Sequence, residues 1–198
     1  NRYTAVIMGQ FPLTLSRFII RSQAEHPEAT GEFSSLLSQI GLVGKVIAHD
    51  LRRAGLINIL GTTGETNVQG EVVKKLDEIA NDTFLRAFQG DGLVCALASE
   101  EMEQVVALPE NWPQGKYMLL FDPLDGSSNT DCNMPLGAIF SVLKYTRTDR
   151  PPTESDLLRK GIEQVAAGYL LFGSSTMLVY TAGHGVHGFT LDPSIGEY

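Results

Sequence analysis

Helical spacing fills this chain as far as Phe88, and strand-like apolar runs fill most of the remainder. This division constrains the fold more than any other feature. Helices grouped at one end of a sequence and strands at the other pack as an α+β domain, with the helices laid on one mixed, mostly antiparallel sheet. Thr14 is placed to cap a first helix over residues 14–25, with Leu15, Phe18 and Ile19 on one side. Over 31–54, apolar residues from Phe33 through Ile40 and Ile47 to Leu51 recur every three or four positions, and Gly55 stops the run. A Gly-rich polar stretch, 61–70, is too poor in apolar residues to be held tightly, and a third helix is predicted over 71–88. Strands are predicted at 93–99, 105–108, 116–121, 136–145, 165–174, 176–181 and 186–191.

Bulk properties narrow the partners. A length of 198 residues, 43% hydrophobic and 19% charged, supports one sizeable core. A formal net charge of -8 opposes long-range attraction to nucleic acid or to an anionic membrane, and suits carboxylates gathered around cations. Two cysteines, Cys95 and Cys132, make no disulfide framework and predict a reducing compartment. No apolar run reaches the length of a membrane span, and the opening N-R-Y-T-A-V-I-M lacks the layout of a signal peptide, so a cytoplasmic location is expected. The last residues, D-P-S-I-G-E-Y, follow a strand without a capping helix or polar tail, which reads as a cut.

Chemistry concentrates where two apolar strands end in acids. Residues 93–99 run into Glu100-Glu101, and 116–121 run into Asp122-Pro-Leu-Asp125. If these strands lie side by side in one direction, Glu100, Asp122 and Asp125 converge at one sheet edge with the Leu124 carbonyl. That all-oxygen set suits one or two Mg²⁺ ions. Each cluster alone has an ordinary reading, a solvated strand exit for the first and a Pro-Asp-Gly turn for the second. Behind the acids, the backbone N–H groups of Gly126, Ser127 and Ser128 can hold a phosphoryl group. Glu101 and Asp77, on the exposed side of the predicted third helix, are candidates to orient or deprotonate an attacking water. Other motifs carry less. Gly183-His-Gly-Val-His-Gly188 matches a dinucleotide pattern, yet a strand follows it where a helix is required, so a hairpin is predicted. His184 and His187, three apart, would fall on opposite faces of a strand. Asn81-Asp-Thr is a formal glycosylation sequon inside a helix, and Cys132 reads as a small core residue.

The run D-P-L-D-G-S-S-N-x-D-C resembles the metal-binding motif of class I fructose-1,6-bisphosphatase, within the Mg²⁺-dependent, lithium-sensitive sugar phosphatases. T-L-S-R-F, A-T-G-E-F-S-S-L-L, T-N-V-Q-G-E-V-V-K-K-L-D-E-I-A-N-D, S-E-E, V-A-A-G-Y and L-D-P-S-I-G-E-Y look like the same family, in order, from Thr14 to Tyr198. The resemblance implies that residues 1–198 are the allosteric, metal-bearing N-terminal half, with the C-terminal substrate domain absent from this chain. It implies hydrolysis of the 1-phosphate of fructose 1,6-bisphosphate, in gluconeogenesis or the Calvin cycle, with two or three Mg²⁺ ions (or Mn²⁺ or Zn²⁺) per site. Glu100, Asp122, Leu124 and Asp125 match the metal ligands, and Glu71 matches an acid on a loop that reaches a further metal. Asp77 and Glu101 match the water-activating pair, and Gly126, Ser127 and Ser128 the phosphate turn. AMP is the implied inhibitor, at Thr30, Gly31, Glu32, Phe33, Ser34, Lys116 and Tyr117. Physically, 31–33 would open a helix and offer free N–H groups to a phosphate. By its residues alone Thr30 reads as the helix cap. Lys144 stands where many eukaryotic members have an arginine that helps hold AMP. A homotetramer is implied, and sedoheptulose 1,7-bisphosphate is the nearest alternative substrate. The alternative function is an isolated AMP- and metal-binding module without turnover.

Overall fold

The computed structural model describes residues 12–24, 30–54, 62–66, 72–109, 111–127, 134–147 and 149–198, with backbone alone for 62–66 and 72–74. Helix α1 (Leu15–Ala24) begins where its cap was predicted: the Arg17 N–H donates to Thr14 Oγ1 at 3.2 Å. Helix α2 (Glu32–Arg53) opens at Gly31, whose φ of 82° lies in the left-handed region that glycine reaches without strain. Gly31, and not Thr30, is therefore the N-cap, and no side chain caps this helix.

The third helix starts later than its spacing suggests. Val72–Lys74 is a strand, β2, paired antiparallel with β1 (Thr62–Thr66), and α3 runs only over Lys75–Ala87. Two successive β-branched residues, Val72 and Val73, favour extended backbone over a first helical turn.

The second sheet has seven strands: β3 (Val94–Ser99), β4 (Val106–Ala107), β5 (Tyr117–Asp125), β6 (Leu136–Lys144), β7 (Gln164–Phe172), β8 (Thr176–Thr181) and β9 (Val186–Thr190). Their order is β4-β3-β5-β6-β7-β8-β9, with β3 parallel to β5 and every other pair antiparallel. The predicted α+β class, helices on a mixed and mostly antiparallel sheet, is what forms.

The three helices cover one sheet face. Leu36, Ile40 and Val43 of α2, Phe84 of α3 and Leu119, Val142, Leu170 and Leu178 of the strands share one core. Phe84 stacks on Phe121 of β5 with ring centroids 4.5 Å apart, and Gln39 of α2 donates to the last-turn carbonyl of α3, Ala87, at 2.6 Å. Gly168 on β7 is required by crowding: a Cβ there would lie 2.4 Å from the Val179 carbonyl oxygen and 2.6 Å from the Phe140 ring. On the opposite face a smaller cluster gathers Cys95, Met118, Leu143 and Tyr145 beneath the short helix α4 (Glu154–Leu157). The sequence reading placed no helix there. Thr153 and Asp156 form a reciprocal capping box that lets so short a turn close. The end of the chain packs inward: Tyr198 is buried, and its carbonyl accepts the Leu15 N–H at 2.8 Å.

Candidate active site

Strand direction decides whether the acids meet. Because β3 and β5 are parallel with Ser99 opposite Phe121, the residues that follow each stand side by side. The Glu100 N–H donates to the Phe121 carbonyl at 3.0 Å, one peptide from Asp122. The Glu101 N–H reaches Ser99 Oγ at 3.3 Å and the Met102 N–H the Ser99 carbonyl at 3.2 Å, a tight turn that presents two glutamates at the strand exit. Asp122 stays in the strand, and its Oδ1 accepts the Leu124 N–H at 3.1 Å.

Burial pushes the Asp122 carboxyl up to about 6, and the Asp125, Glu100 and Asp77 carboxylates push the same way against the Leu124 hydrogen bond. Every ionisable neighbour that moves Asp122 is thus another acid. Asp77, on α3, is not on the exposed side that the sequence predicts but only 4% exposed, an unusual depth for a carboxylate. It lies seven residues before Phe84 on the same helix face, so the Phe84–Phe121 stack sets its height against β5.

Among the described residues, no three His, Cys, Asp or Glu side chains are drawn tightly enough to chelate an ion as they stand. The acids converge by strand register and by their mutual field. The donor set nevertheless fits a hard divalent cation, being all oxygen and uniformly negative around a half-buried carboxylate. Leu124 is buried and Asp125, at the end of β5, is exposed. Gly126 turns the chain with a φ of 84°, which keeps the position for glycine, and Ser127 comes next. Glu71, Ser128 and Cys132 lie outside the described residues. Beside Glu100 and Asp122 the uncovered sheet face opens into a shallow depression of about 810 Å³, floored by Leu120, Ile139 and Tyr169.

A second cleft, about 690 Å³, lies under α1 along the other end of the strands. Six of the seven residues assigned to the effector by resemblance line it: Thr30, Gly31, Phe33, Ser34, Lys116 and Tyr117. The seventh, Glu32, is ion-paired with Lys116, whose Nζ also donates to Thr30 Oγ1 at 2.9 Å. This joins the α2 N-terminus to β5. Lys144 lines the cleft as well. Sequence reading missed the far wall, where Phe18 of α1, Tyr180 of β8 and both histidines of the β8–β9 hairpin stand. The hairpin itself was predicted. Its turn is made by Gly183 and Gly185 at φ 91° and 87°, so the alternation of a strand does not extend through His184.

Fold and site together define an α+β protein whose strand ends gather acids on one side and whose helix N-terminus faces a cationic cleft on the other. The family model for the fructose-1,6-bisphosphatase N-terminal domain matches residues 13–198, and the chain belongs to that family. Class 1 fructose-1,6-bisphosphatase of Trichormus variabilis is 53% identical over 199 residues, covering 100% of this chain and 57% of the relative. That of Trichodesmium erythraeum is 55% identical over 186 residues, 93% of this chain and 52% of the relative. The crystal structure of Leishmania major fructose-1,6-bisphosphatase in holo form overlays with a TM-score of 0.86 at 40% identity, covering 95% of this chain and 57% of that one. Its T-state structure gives 0.78 at 39% identity, covering 95% of this chain and 56% of that one. The chain therefore spans little more than half the length of these relatives.

Proposed function

We propose that this chain is the metal- and effector-binding half of a cytoplasmic fructose-1,6-bisphosphatase, assembled as a homotetramer and inhibited by AMP. The observation that carries the reading is the parallel register of β3 and β5, which sets Glu100 beside Asp122 in a field of carboxylates. Glu100, Asp122, Asp125 and the Leu124 carbonyl would hold Mg²⁺, with Glu71 reaching a further ion. Zn²⁺ favours nitrogen and sulfur ligands and suits this set less. Bound metal supplies neutralisation of phosphate oxygens and a water acidic enough to attack at neutral pH. Asp77 and Glu101 would orient the attacking water and accept its proton. The N–H groups of Gly126, Ser127 and Ser128 hold the 1-phosphoryl oxygens. The water oxygen bonds to phosphorus as the bond from phosphorus to the sugar oxygen breaks, the departing sugar oxygen takes up a proton from solvent, and fructose 6-phosphate and inorganic phosphate leave. Positioning and charge stabilisation suffice for this chemistry without a protein nucleophile.

Calorimetry with MgCl₂ and with AMP tests the binding half directly. Both are expected to bind the 198-residue chain, with Mg²⁺ binding lost in Asp122→Ala. Release of inorganic phosphate from fructose 1,6-bisphosphate by these 198 residues alone is expected to be negligible. Near-normal turnover would overturn the division into halves, and an Asp122→Ala chain that still binds Mg²⁺ would overturn the metal assignment.

A further inference from the structure

The first turn of α2 is open to an anion, and one uncharged side chain from α1 reaches it. The Ser35 N–H makes the first intrahelical bond of α2, to the Gly31 carbonyl at 2.9 Å, so the N–H groups of Glu32, Phe33 and Ser34 have no partner within the helix. We propose that Gln23 is a further contact residue of this cleft, its side-chain amide donating from α1 to the phosphate of a nucleotide seated on those N–H groups. The proposal rests on reading the cleft as the site of such a nucleotide.

Gln23 lies in the last turn of α1 and lines the cleft with Thr30, Gly31, Ser34 and Lys116. Two contacts fix its carboxamide. Oε1 accepts the Ser34 hydroxyl at 3.0 Å, a bond that crosses eleven residues from one helix to the next. The other end lies against Gly31, where a Cβ would stand 3.3 Å from Nε2 and 4.0 Å from Oε1. The amide thus occupies ground that any larger residue at 31 would crowd, and its nitrogen is the atom nearer to the helix opening. With Oε1 engaged, Nε2 keeps two hydrogens to donate, and no described residue accepts them. Ser34 gives its hydroxyl to Gln23 and keeps its backbone N–H for the anion.

The helix that carries Gln23 is itself held. Leu15 and Ile19 of α1 are buried, and the Leu15 N–H is bonded to the Tyr198 carbonyl at 2.8 Å. A glutamine side chain ordinarily gives up rotamer freedom when it grips a ligand. Here the Ser34 bond has already imposed that order, so less is lost on binding. Lys116, tied to Thr30 Oγ1 and Glu32, supplies the charge. A phosphate at the opening of α2 would therefore meet a cation from β5, backbone N–H groups from α2 and a neutral, directed donor from α1. Such a donor adds geometry without adding charge, which makes its contribution separable from that of the lysine.

Calorimetric titration of AMP tests this on the chain and on two variants of nearly the same side-chain size, Gln23→Glu and Gln23→Met. Glutamate can still accept from Ser34, so it keeps the tie between the helices while replacing the donor by an anion. Methionine removes donor and acceptor alike. Loss of one hydrogen bond to a charged group weakens binding roughly tenfold. A carboxylate about 5 Å from a phosphate in a partly solvated cleft costs on the order of a further tenfold. At about 50 mM NaCl, Gln23→Met is expected to weaken AMP about tenfold and Gln23→Glu about a hundredfold. Raising NaCl to about 0.5 M screens the carboxylate, so the glutamate deficit relative to the parent should shrink toward the methionine value, which holds. A Gln23→Glu chain that binds AMP within about twofold of its parent overturns the Gln23 contact. So does a deficit that is equal in both variants at both salt concentrations, because a side chain that only ties α1 to α2 has no charge to screen. A parent chain that binds no AMP overturns the nucleotide reading itself.

Discussion

Cys95 shows how position in the sheet sets reactivity. It sits on β3, 3% exposed, where Ala96, Met118 and Tyr145 pack the face away from the helices. Its Sγ donates to the Tyr117 carbonyl at 3.3 Å, and burial pushes the thiol up to about 11. At pH 8 such a thiol is ionised in only about one molecule in a thousand, and the thiolate is the nucleophile. Iodoacetamide should therefore modify Cys95 in the native chain on the order of a hundredfold more slowly than in the urea-denatured chain. Mass mapping of the tryptic peptide that carries it provides the readout, and comparable rates in the two states would contradict the buried placement. His184 teaches the complementary lesson. A spacing rule that treats G-H-G-V-H-G as strand throughout sends the two histidines apart, but two left-handed glycines make the first a turn residue, and the cleft receives both. Thr30 was likewise legible as a helix-terminus residue, yet its hydroxyl accepts from Lys116 because Gly31 already supplies the turn into α2.

At the scale of elements, the strands were legible because each apolar run ends abruptly. The run closing in Glu100-Glu101 and the run closing in Asp122 mark β3 and β5 to within a few residues, and their parallel pairing was the condition on which the acids would meet. The β1–β2 pair was not legible, since T-T-G-E-T has no alternation and Val72-Val73 runs on into the helical spacing of residues 75–88. Nor was the depth of Asp77, because α3 read in isolation puts it on a polar side, and it is buried once the helix packs against β5 and α2. That docking rests on Phe84, fully buried and stacked on Phe121 immediately before Asp122. Phe84→Ala removes most of a large buried ring and should lower stability by about 3–5 kcal/mol in urea unfolding, with Phe84→Leu losing less. A Phe84→Ala chain within about 0.5 kcal/mol of its parent would mean that α3 is held by other contacts.

At the scale of the molecule, α2 is apolar around more of its circumference than one core requires. Leu36, Ile40, Val43 and Ile47 meet the sheet, while Leu42 and Val46, four residues apart on the other side, are 49% and 39% exposed. Ile20 of α1 is exposed as well. A helix with an apolar stripe on both sides is one that buries both. In the proposed homotetramer the outer stripe is where a second copy would seat. Replacing Leu42 and Val46 by glutamate leaves the inner stripe untouched, and an exposed change of this kind ordinarily shifts folding stability by no more than about 0.5 kcal/mol. It would set four like-charged side chains across a two-fold contact, because such an interface presents the same patch twice. Light scattering coupled to size exclusion should then read a parent mass that is a multiple of 21.6 kDa and a Leu42→Glu/Val46→Glu mass of 21.6 kDa, with unchanged circular dichroism. A variant that stays assembled would move the interface off α2, and a parent that elutes at 21.6 kDa at tens of micromolar would show that this half does not carry the assembly.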